Sequence, residues 1–306
     1  MNHSTDPAPP STAAAFWGTC GEIARARFAR TFKRVLRPCL MQRLAERNRS
    51  SHESVIAPGG PVVSLTTYGP RLQNVFYVLE SIGAGRLKPS RLVLWIDEGL
   101  AKAGLPDALK RLMSRGLEVR STQDVGPHTK YFPQVLSEPH PVLPLVTADD
   151  DALYPAYWLQ RLAAEGRRMP GVIHCFRAHR IAFDVQGRMR PYREWRGCTS
   201  THPSHRHFLT GVAGVLYPVA AQNALRAAGD GFTACCPRAD DIWLNLVALR
   251  AGIAVRQVRP RGRLFYKLPG TQAQGLAQGN VWGGGNDAQL LASYRVDDLQ
   301  KLRSAR

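Results

Sequence analysis

Between Val62 and Tyr154 the chain alternates short apolar runs with longer stretches whose apolar positions recur every three or four residues. Residues 62–66, 91–96, 117–120 and 145–148 read as strands. Pro70 opens a stretch in which Leu72, Val75, Leu79 and Ile82 keep helical spacing, and residues 106–115 form another that Gly116 stops. Such alternation leaves few folds open. Parallel strands need long crossovers, and the crossover helices must cover the faces of the sheet. The expected class is therefore α/β, a mostly parallel sheet flanked by helices. Ligands of such sheets bind beyond the carboxyl ends of the strands. Thr66-Thr67-Tyr68, Asp97-Glu98 and Asp149-Asp150-Asp151 all stand at those ends, so one edge is expected to carry the site. Beyond Asp151 the pattern loosens. Residues 171–178 read as a strand, followed by a polar loop to Phe208, then a Gly-punctuated strand over 210–218 with a helix behind it. Asp240-Asp241 opens an apolar helix, and the tail from Gly262 reads as loop. No internal repeat, GxGxxG or Walker A pattern is present.

The folded domain is expected to span residues 55–306, entered through Ala57-Pro58-Gly59-Gly60-Pro61, with residues 1–54 as an appendage. That appendage holds a basic segment, residues 22–49, in which Phe28, Phe32, Val35, Leu36 and Leu40 fall on one helical side. Arg27, Arg30, Arg34 and Arg37 fall on the other, and Pro38 is expected to interrupt the helix. Such a helix suits either an anionic membrane surface or packing on the domain. The whole chain carries 41 Lys+Arg against 23 Asp+Glu, a formal net charge of +18, which attracts anions without choosing among them. No stretch approaches the length of a membrane span and no secretory leader is apparent. The six cysteines lack metal-ligand spacing and read as free thiols of a reducing cytoplasm. The expected location is cytoplasmic, with peripheral attachment to the inner face of the cytoplasmic membrane open through residues 22–49.

Two acidic clusters carry the chemistry. Asp149, Asp150 and Asp151 repel one another unless a cation or strong donors hold them, and carboxylates plus substrate phosphates commonly hold Mg²⁺ or Mn²⁺. The alternative is an acidic turn leading to a helix. Asp240 and Asp241, at a helix start, read either as a capping pair or as a general base beside its neighbour. His202, His205 and His207 lack a Cys partner at zinc spacing. With Arg190, Arg193, Arg196 and Arg206 nearby, that loop suits an acceptor phosphate or lipid head group better.

Six blocks in order give the chain a family likeness: Val63 to Arg71, His128 to Tyr131, Thr147 to Pro155, Gly211 to Pro218, Ala239 to Leu244, and Gly284 to Asp287. Together they resemble nucleotide-sugar glycosyltransferases of the GT-A fold, particularly bacterial family-2-like enzymes of surface-polysaccharide assembly. The resemblance implies a Rossmann-like sheet and a metal-dependent enzyme. Its donor would be a nucleotide sugar, UDP-linked by default, and its acceptor a glycan or lipid-linked hydroxyl, with no nucleic-acid partner. By the same resemblance Asp149 and Asp151 are the DxD pair, the first toward the donor ribose and the second on Mn²⁺ or Mg²⁺. Asp150 would stand with them at the donor, Asp241 would be the general base of an inverting transfer, and Asp240 would assist acceptor binding. The family usually places Glu-Asp where this chain has Asp240-Asp241. Thr66, Tyr68, Arg71 and Lys130 would contact the donor nucleotide and its phosphates. Gly211 and Gly214 would admit the sugar, and Asn286 and Asp287, on a mobile late loop, would close over it. A nucleotidyltransferase is the alternative enzyme, and a non-catalytic basic binding module the alternative without catalysis. The Thr66-Thr67-Tyr68-Gly69-Pro70 segment lacks the Gly-rich basic loop of the former, and both acidic clusters count against the latter.

Overall fold

The computed structural model describes residues 37–271 and 278–305. The chain divides into two compact units after Arg47. Residues 37–50 are helical (α1), with Pro38 at the start of the described stretch; the rest of the basic segment lies outside the described residues. The second unit begins at Asn48, earlier than the composition of the linker suggests. Its Nδ2 donates to Glu80 Oε1 and to the Ala108 carbonyl, both at 3.0 Å.

In chain order the strands are β1 (Val62–Thr66), β2 (Arg91–Asp97), β3 (Leu117–Thr122), β4 (Leu145–Thr147), β5 (Ala152–Leu153) and β6 (Ile173–Cys175). They continue as β7 (Ala178–Arg180), β8 (His207–Leu209), β9 (Val215–Tyr217), β10 (Val255–Gln257) and β11 (Tyr266–Lys267). The helices are α2 (Val75–Gly83), α3 (Glu98–Ala103), α4 (Asp107–Met113), α5 (Phe132–Ser137) and α6 (Trp158–Arg168). After them come α7 (Val219–Ala228), α8 (Phe232–Cys235), α9 (Asp240–Arg250), α10 (Gly285–Ser293) and α11 (Val296–Ser304). Seven strands form the main sheet in the order β10-β6-β9-β4-β1-β2-β3. Every neighbouring pair is parallel except those of β9, which runs against both β4 and β6. The α/β, mostly parallel arrangement expected from the alternation is the one present. The chain order β3-β2-β1-β4 is also that of repeated strand–helix crossovers.

Alternate strand positions face opposite layers. Val62, Val93, Trp95 and Leu145 join the core that contains Ile242, Leu246 and Leu249 of α9. Val63, Leu65, Leu92, Leu94 and Val146 are buried on the other face. Leu216 of β9 also points that way and packs against Gly166 of α6. The Leu and Val residues of β1 and β2 are so completely enclosed because helices cover both faces, as a parallel sheet requires.

Two readings of the sequence are corrected. The tail after Gly262 is not loop: it contributes β11, which pairs antiparallel with β5, and ends in α10 and α11. The second of these begins at a capping box in which Asp298 accepts from the Arg295 N–H at 3.0 Å, a local signal hidden by the polar surface of the helix. Asn286 and Asp287 accordingly belong to the first turn of α10 and not to a late loop. Between Asp151 and α6 lies β5, so the acidic triplet is held at a strand crossover and not simply at a helix entrance.

Behind α2 the Arg115 guanidinium, 3% exposed, grips the fully buried Glu80 carboxylate through bonds of 2.6 and 3.1 Å. Replacing Glu80 by Ala leaves that guanidinium buried without its partner and should lower unfolding stability by ~3–5 kcal/mol. Denaturant titration checks this. The double variant Glu80→Leu/Arg115→Met should recover most of the loss, because it removes both charges together.

Candidate active site

Parallel β1, β2 and β4 end on one edge, which brings Thr66-Thr67-Tyr68, Asp97 and Asp149-Asp150-Asp151 to the same side of the sheet. Because β9 is reversed, its entry end lies at that edge too, with Val215 opposite Thr147, and the preceding turn, residues 210–214, stands at the same edge. The first turn of α9 delivers Asp240 and Asp241 to the same place. Asp97 is the exception among these. Its carboxylate accepts the Leu100 N–H at 2.9 Å and caps α3.

Lys130 ties the two clusters together. It ends a 3-10 turn over Gly126–Lys130, and its ammonium lies 2.9 Å from Asp240 Oδ2 and 3.4 Å from Asp149 Oδ1. Only 12% of its side chain is exposed, so the ammonium is held in place by these carboxylates. Burial opposes its charge, yet Asp240, Asp149 and Asp241 hold its pKa well above the ordinary lysine value. The turn is itself pinned at both sides. Ser64 Oγ of β1 donates to the Lys130 carbonyl at 2.7 Å. His128 stacks on Phe232 with ring centroids 3.9 Å apart, and its Nε2 lies 2.9 Å from the Cys236 carbonyl. A carbonyl only accepts, so Nε2 carries the proton and Nδ1 accepts from the Tyr131 hydroxyl at 2.9 Å. Burial lowers the His128 pKa, which keeps this ring neutral.

The triplet is divided by task. Asp150 is held by the Thr67 hydroxyl at 2.8 Å and by Arg71 Nη1 at 2.7 Å. Burial pushes its pKa up, opposed by those two contacts. Arg71 lies 4.8 Å from the centre of the Tyr68 ring and also donates to the Thr271 carbonyl at 2.5 Å. Asp149 and Asp151 instead turn toward Lys267 of β11. Its ammonium is bonded to Asp151 Oδ1 and stands 3.8 Å from Asp149 Oδ2. Two hard oxygen donors thus bracket one cation position, a donor set that suits Mg²⁺ or Mn²⁺. Among the described residues no group of three or more His, Cys, Asp or Glu side chains is set around a metal position.

Asp241 accepts the Gly211 N–H at 2.7 Å on Oδ1 and keeps partial access to solvent. Burial and neighbouring Asp240 push its carboxyl up to about 7, against the pull of Lys130 and the Gly211 N–H. Asn245, one turn along α9, donates to the Asp241 carbonyl at 2.7 Å and exchanges bonds of 2.9 and 3.0 Å with the Leu209 backbone, which fixes α9 to β8. Gly211 is needed for want of room: a Cβ there would lie 2.9 Å from Lys130 Nζ and 3.2 Å from Asp241 Oδ1. Gly214 adopts φ +95° with its missing Cβ aimed at the Trp158 indole, while Ala213 beside it takes the unusual φ of 74°. The Trp158 indole N–H donates to the Ala213 carbonyl at 2.8 Å and holds that turn in place.

Of the remaining sequence candidates, the Thr66 hydroxyl donates to the Trp95 carbonyl at 3.0 Å, and Tyr68 is exposed. Asn286 is buried in α10, and Asp287 accepts the Tyr192 N–H at 2.7 Å, a bond that holds a neighbouring turn. His207 lies in β8, its ring bonded to the Val255 carbonyl, away from any zinc arrangement among the described residues. Thr67 and Lys267 were missed. Neither has a local signal: Thr67 reads as one more polar residue after a strand, and Lys267 sits in a two-residue strand that meets Asp151 from over a hundred positions away in the chain.

Comparison with solved structures finds partial likenesses. A CMP-2-keto-3-deoxy-manno-octonic acid synthetase complexed with CTP matches with 12% identity and a TM-score of 0.39, over 64% of this chain and 87% of that one. S. aureus TarS, residues 1–349, matches with 12% identity and a TM-score of 0.43, over 79% and 68%. The mannosyltransferase PcManGT from Pyrobaculum calidifontis, in complex with GDP-Man and Mn²⁺, matches with 15% identity and a TM-score of 0.43, over 82% and 69%. No protein-family model and no curated protein matches the chain.

An alanine at Gly211 must displace Lys130 or Asp241. Gly211→Ala should lower stability by ~1–3 kcal/mol, read by denaturant titration. Gly197→Ala, where an added methyl meets nothing within 4 Å, is the control and should change little.

Proposed function

We propose that the chain is a metal-assisted glycosyltransferase of GT-A type, which moves a sugar from a nucleotide sugar to an acceptor hydroxyl with inversion. The observation that carries this reading is Lys130, whose single ammonium joins Asp149 of the donor cluster to Asp240 of the acceptor cluster within one site. A general base and a cation-holding carboxylate pair, both on the carboxyl edge of a parallel sheet, are what transfer from a phosphorylated donor needs.

Asp149 and Asp151 would hold Mn²⁺ or Mg²⁺, with the remaining ligands from the diphosphate and water. The ion would neutralise charge building on the leaving nucleoside diphosphate. For this, Lys267 yields the position between the two carboxylates and is then placed to meet a phosphate oxygen. Arg71 and Tyr68 flank the entrance to that position and suit the base and ribose. Asp241 takes the acceptor proton. The hydroxyl oxygen attacks the anomeric carbon, the bond from that carbon to the diphosphate oxygen breaks, and the diphosphate leaves with the electron pair. Asp241 fits the role by geometry and acidity: Gly211 fixes one oxygen, and a pKa of about 7 matches a base that works near neutrality. Five carboxylates share the edge with Arg71, Lys130 and Lys267. That surplus of negative charge favours a divalent cation before a diphosphate can settle.

UDP is the proposed nucleotide, and a glycan or lipid-linked hydroxyl the proposed acceptor. No described helix is long and apolar enough to cross a membrane. Contact with a cytoplasmic anionic membrane surface is proposed for residues 22–49, most of which lie outside the described residues.

Calorimetric titration of UDP-, GDP- and dTDP-sugars, with Mn²⁺ or with EDTA, tests the donor site. One nucleotide class should bind saturably, and EDTA or Asp151→Asn should abolish binding; absence of metal-dependent binding to every donor would sink the transferase reading. Turnover should rise with pH through a midpoint near the Asp241 value of about 7 and level off above it, because only the ionised carboxylate accepts a proton. Asp241→Asn should lower kcat by about 10²–10⁴ and remove that rising limb, both measured by steady-state kinetics.

A further inference from the structure

Next to the carboxylate cluster lies an open cleft of about 640 Å³, walled by Arg177, His179, Tyr192, Arg193, Trp195 and Trp282 among others. It joins the site through two short links. The Thr210 N–H donates to the Arg177 carbonyl at 3.1 Å, and Thr210 directly precedes Gly211, whose N–H holds Asp241. Tyr192, whose N–H is held by Asp287, lies close enough that the Asp241 charge, after burial, helps to raise its hydroxyl pKa. The cleft therefore opens on the side of the base, while Arg71, Asp150 and Lys267 hold the donor side.

Its walls have a definite chemistry. Arg177 and Arg193 have no carboxylate within ion-pair reach among the described residues. Arg177 has only a long bond to the Thr210 hydroxyl, at 3.5 Å, and the one acid of the wall, Glu194, is paired with Arg190 at 3.0 Å. Two unneutralised guanidiniums make a planar, multidentate anion receptor. Tyr192 and Trp195 pack with centroids 5.2 Å apart as a rigid aromatic floor, and Trp282 is 73% exposed, which leaves its indole open to a ligand. Trp282 is not on a free end, since Asn280 two residues earlier donates to the Arg238 carbonyl at 2.7 Å. His179 Nδ1 donates to the Trp195 carbonyl at 3.2 Å, which fixes the ring against the aromatic floor with its Nε2 buried. A concave site with aromatic walls, a few polar groups and a net positive charge fits a polar ring better than a lipid tail.

We infer that this cleft is the acceptor subsite, and that it takes a saccharide bearing an anionic group, a carboxylate or a phosphate, with the ring on Trp282 and the charge on Arg177 and Arg193. The inference rests on the transferase reading for the word acceptor, and on the cleft alone for the ligand. It assigns specificity to Tyr192-Arg193-Glu194-Trp195 and Trp282, outside the groups that handle the donor.

Methyl glucuronide, glucose 1-phosphate and methyl glucoside, titrated by calorimetry and saturation-transfer NMR against wild type, Arg193→Ala and Trp282→Ala, test it. One anionic sugar should bind at least tenfold tighter than the neutral glucoside. Arg193→Ala should erase that preference, and Trp282→Ala should weaken all saccharide binding while the circular dichroism of both variants stays native. Preference for the glucuronide assigns a carboxylate, and for glucose 1-phosphate a phosphate. Equal binding of the neutral glucoside, no binding of any sugar, or indifference to Arg193→Ala overturns the inference. UDP-sugar binding and its slow hydrolysis, followed in the same samples, separate the two ideas. Donor binding without saccharide preference refutes the cleft alone, and saccharide preference without donor binding refutes the transferase reading alone.

Discussion

A lysine ammonium surrounded by carboxylates is what allows this sheet edge to exist. Asp149, Asp240 and Asp241 crowd toward one another at the end of β4 and the start of α9, where each is at least partly buried. Without Lys130 between them the like charges would have to protonate or separate. Its position is set by elements distant in sequence: Ser64 on β1 holds its carbonyl, and His128 docks its turn on α8 and the chain leading to α9. Main-chain order, core packing and site electrostatics therefore share the same few contacts. A shift of β1 by one residue would turn Ser64 to the other face and take that anchor from the ammonium.

The layout of the fold was largely legible because its signals are local. Apolar runs in β1, β2 and β4, helical spacing in α2 and the unbroken apolar stretch of α9 are short-range patterns, and both acidic clusters stand at element ends where sequence alone can place them. The last stretch was not legible. Its helices α10 and α11 bury few residues each, α10 begins at Gly284 without a side-chain cap and α11 at a polar capping box, so their pattern resembles loop. The same limit applied to the site. Asp149, Asp151 and Asp241 are conspicuous as charges, whereas Thr67 and Lys267 gain meaning only from the pairing of β11 with β5 and from a threonine that faces inward at a strand exit. Asp287, read as a possible substrate contact, has its carboxylate on the Tyr192 N–H. That turn carries the wall of the cleft, so one of the Asp287 oxygens is already engaged in holding that wall.

Charge is spread over the site in two unlike zones. Around Asp149 and Asp151 the acids outnumber the bases, and around Arg177 and Arg193 the reverse holds. The acidic zone repels any anion until a divalent cation is bound, whereas the basic zone attracts one directly, so under the proposed function the cation decides where a diphosphate settles.

The reversed strand β9 also bears on how the proposed transferase could diversify. Its entry turn has no slack: Gly211 touches the charged cluster, Gly214 lies on the Trp158 ring, and Ala213 between them is already in a left-handed conformation. Side chains cannot be enlarged there without moving Lys130, Asp241 or Trp158. The opposite wall has open solvent at Trp282 and Arg193 and tolerates exchange of bulk and charge. Under the proposed function, drift in the accepted saccharide would therefore accumulate on that wall, with the acidic clusters left as they stand.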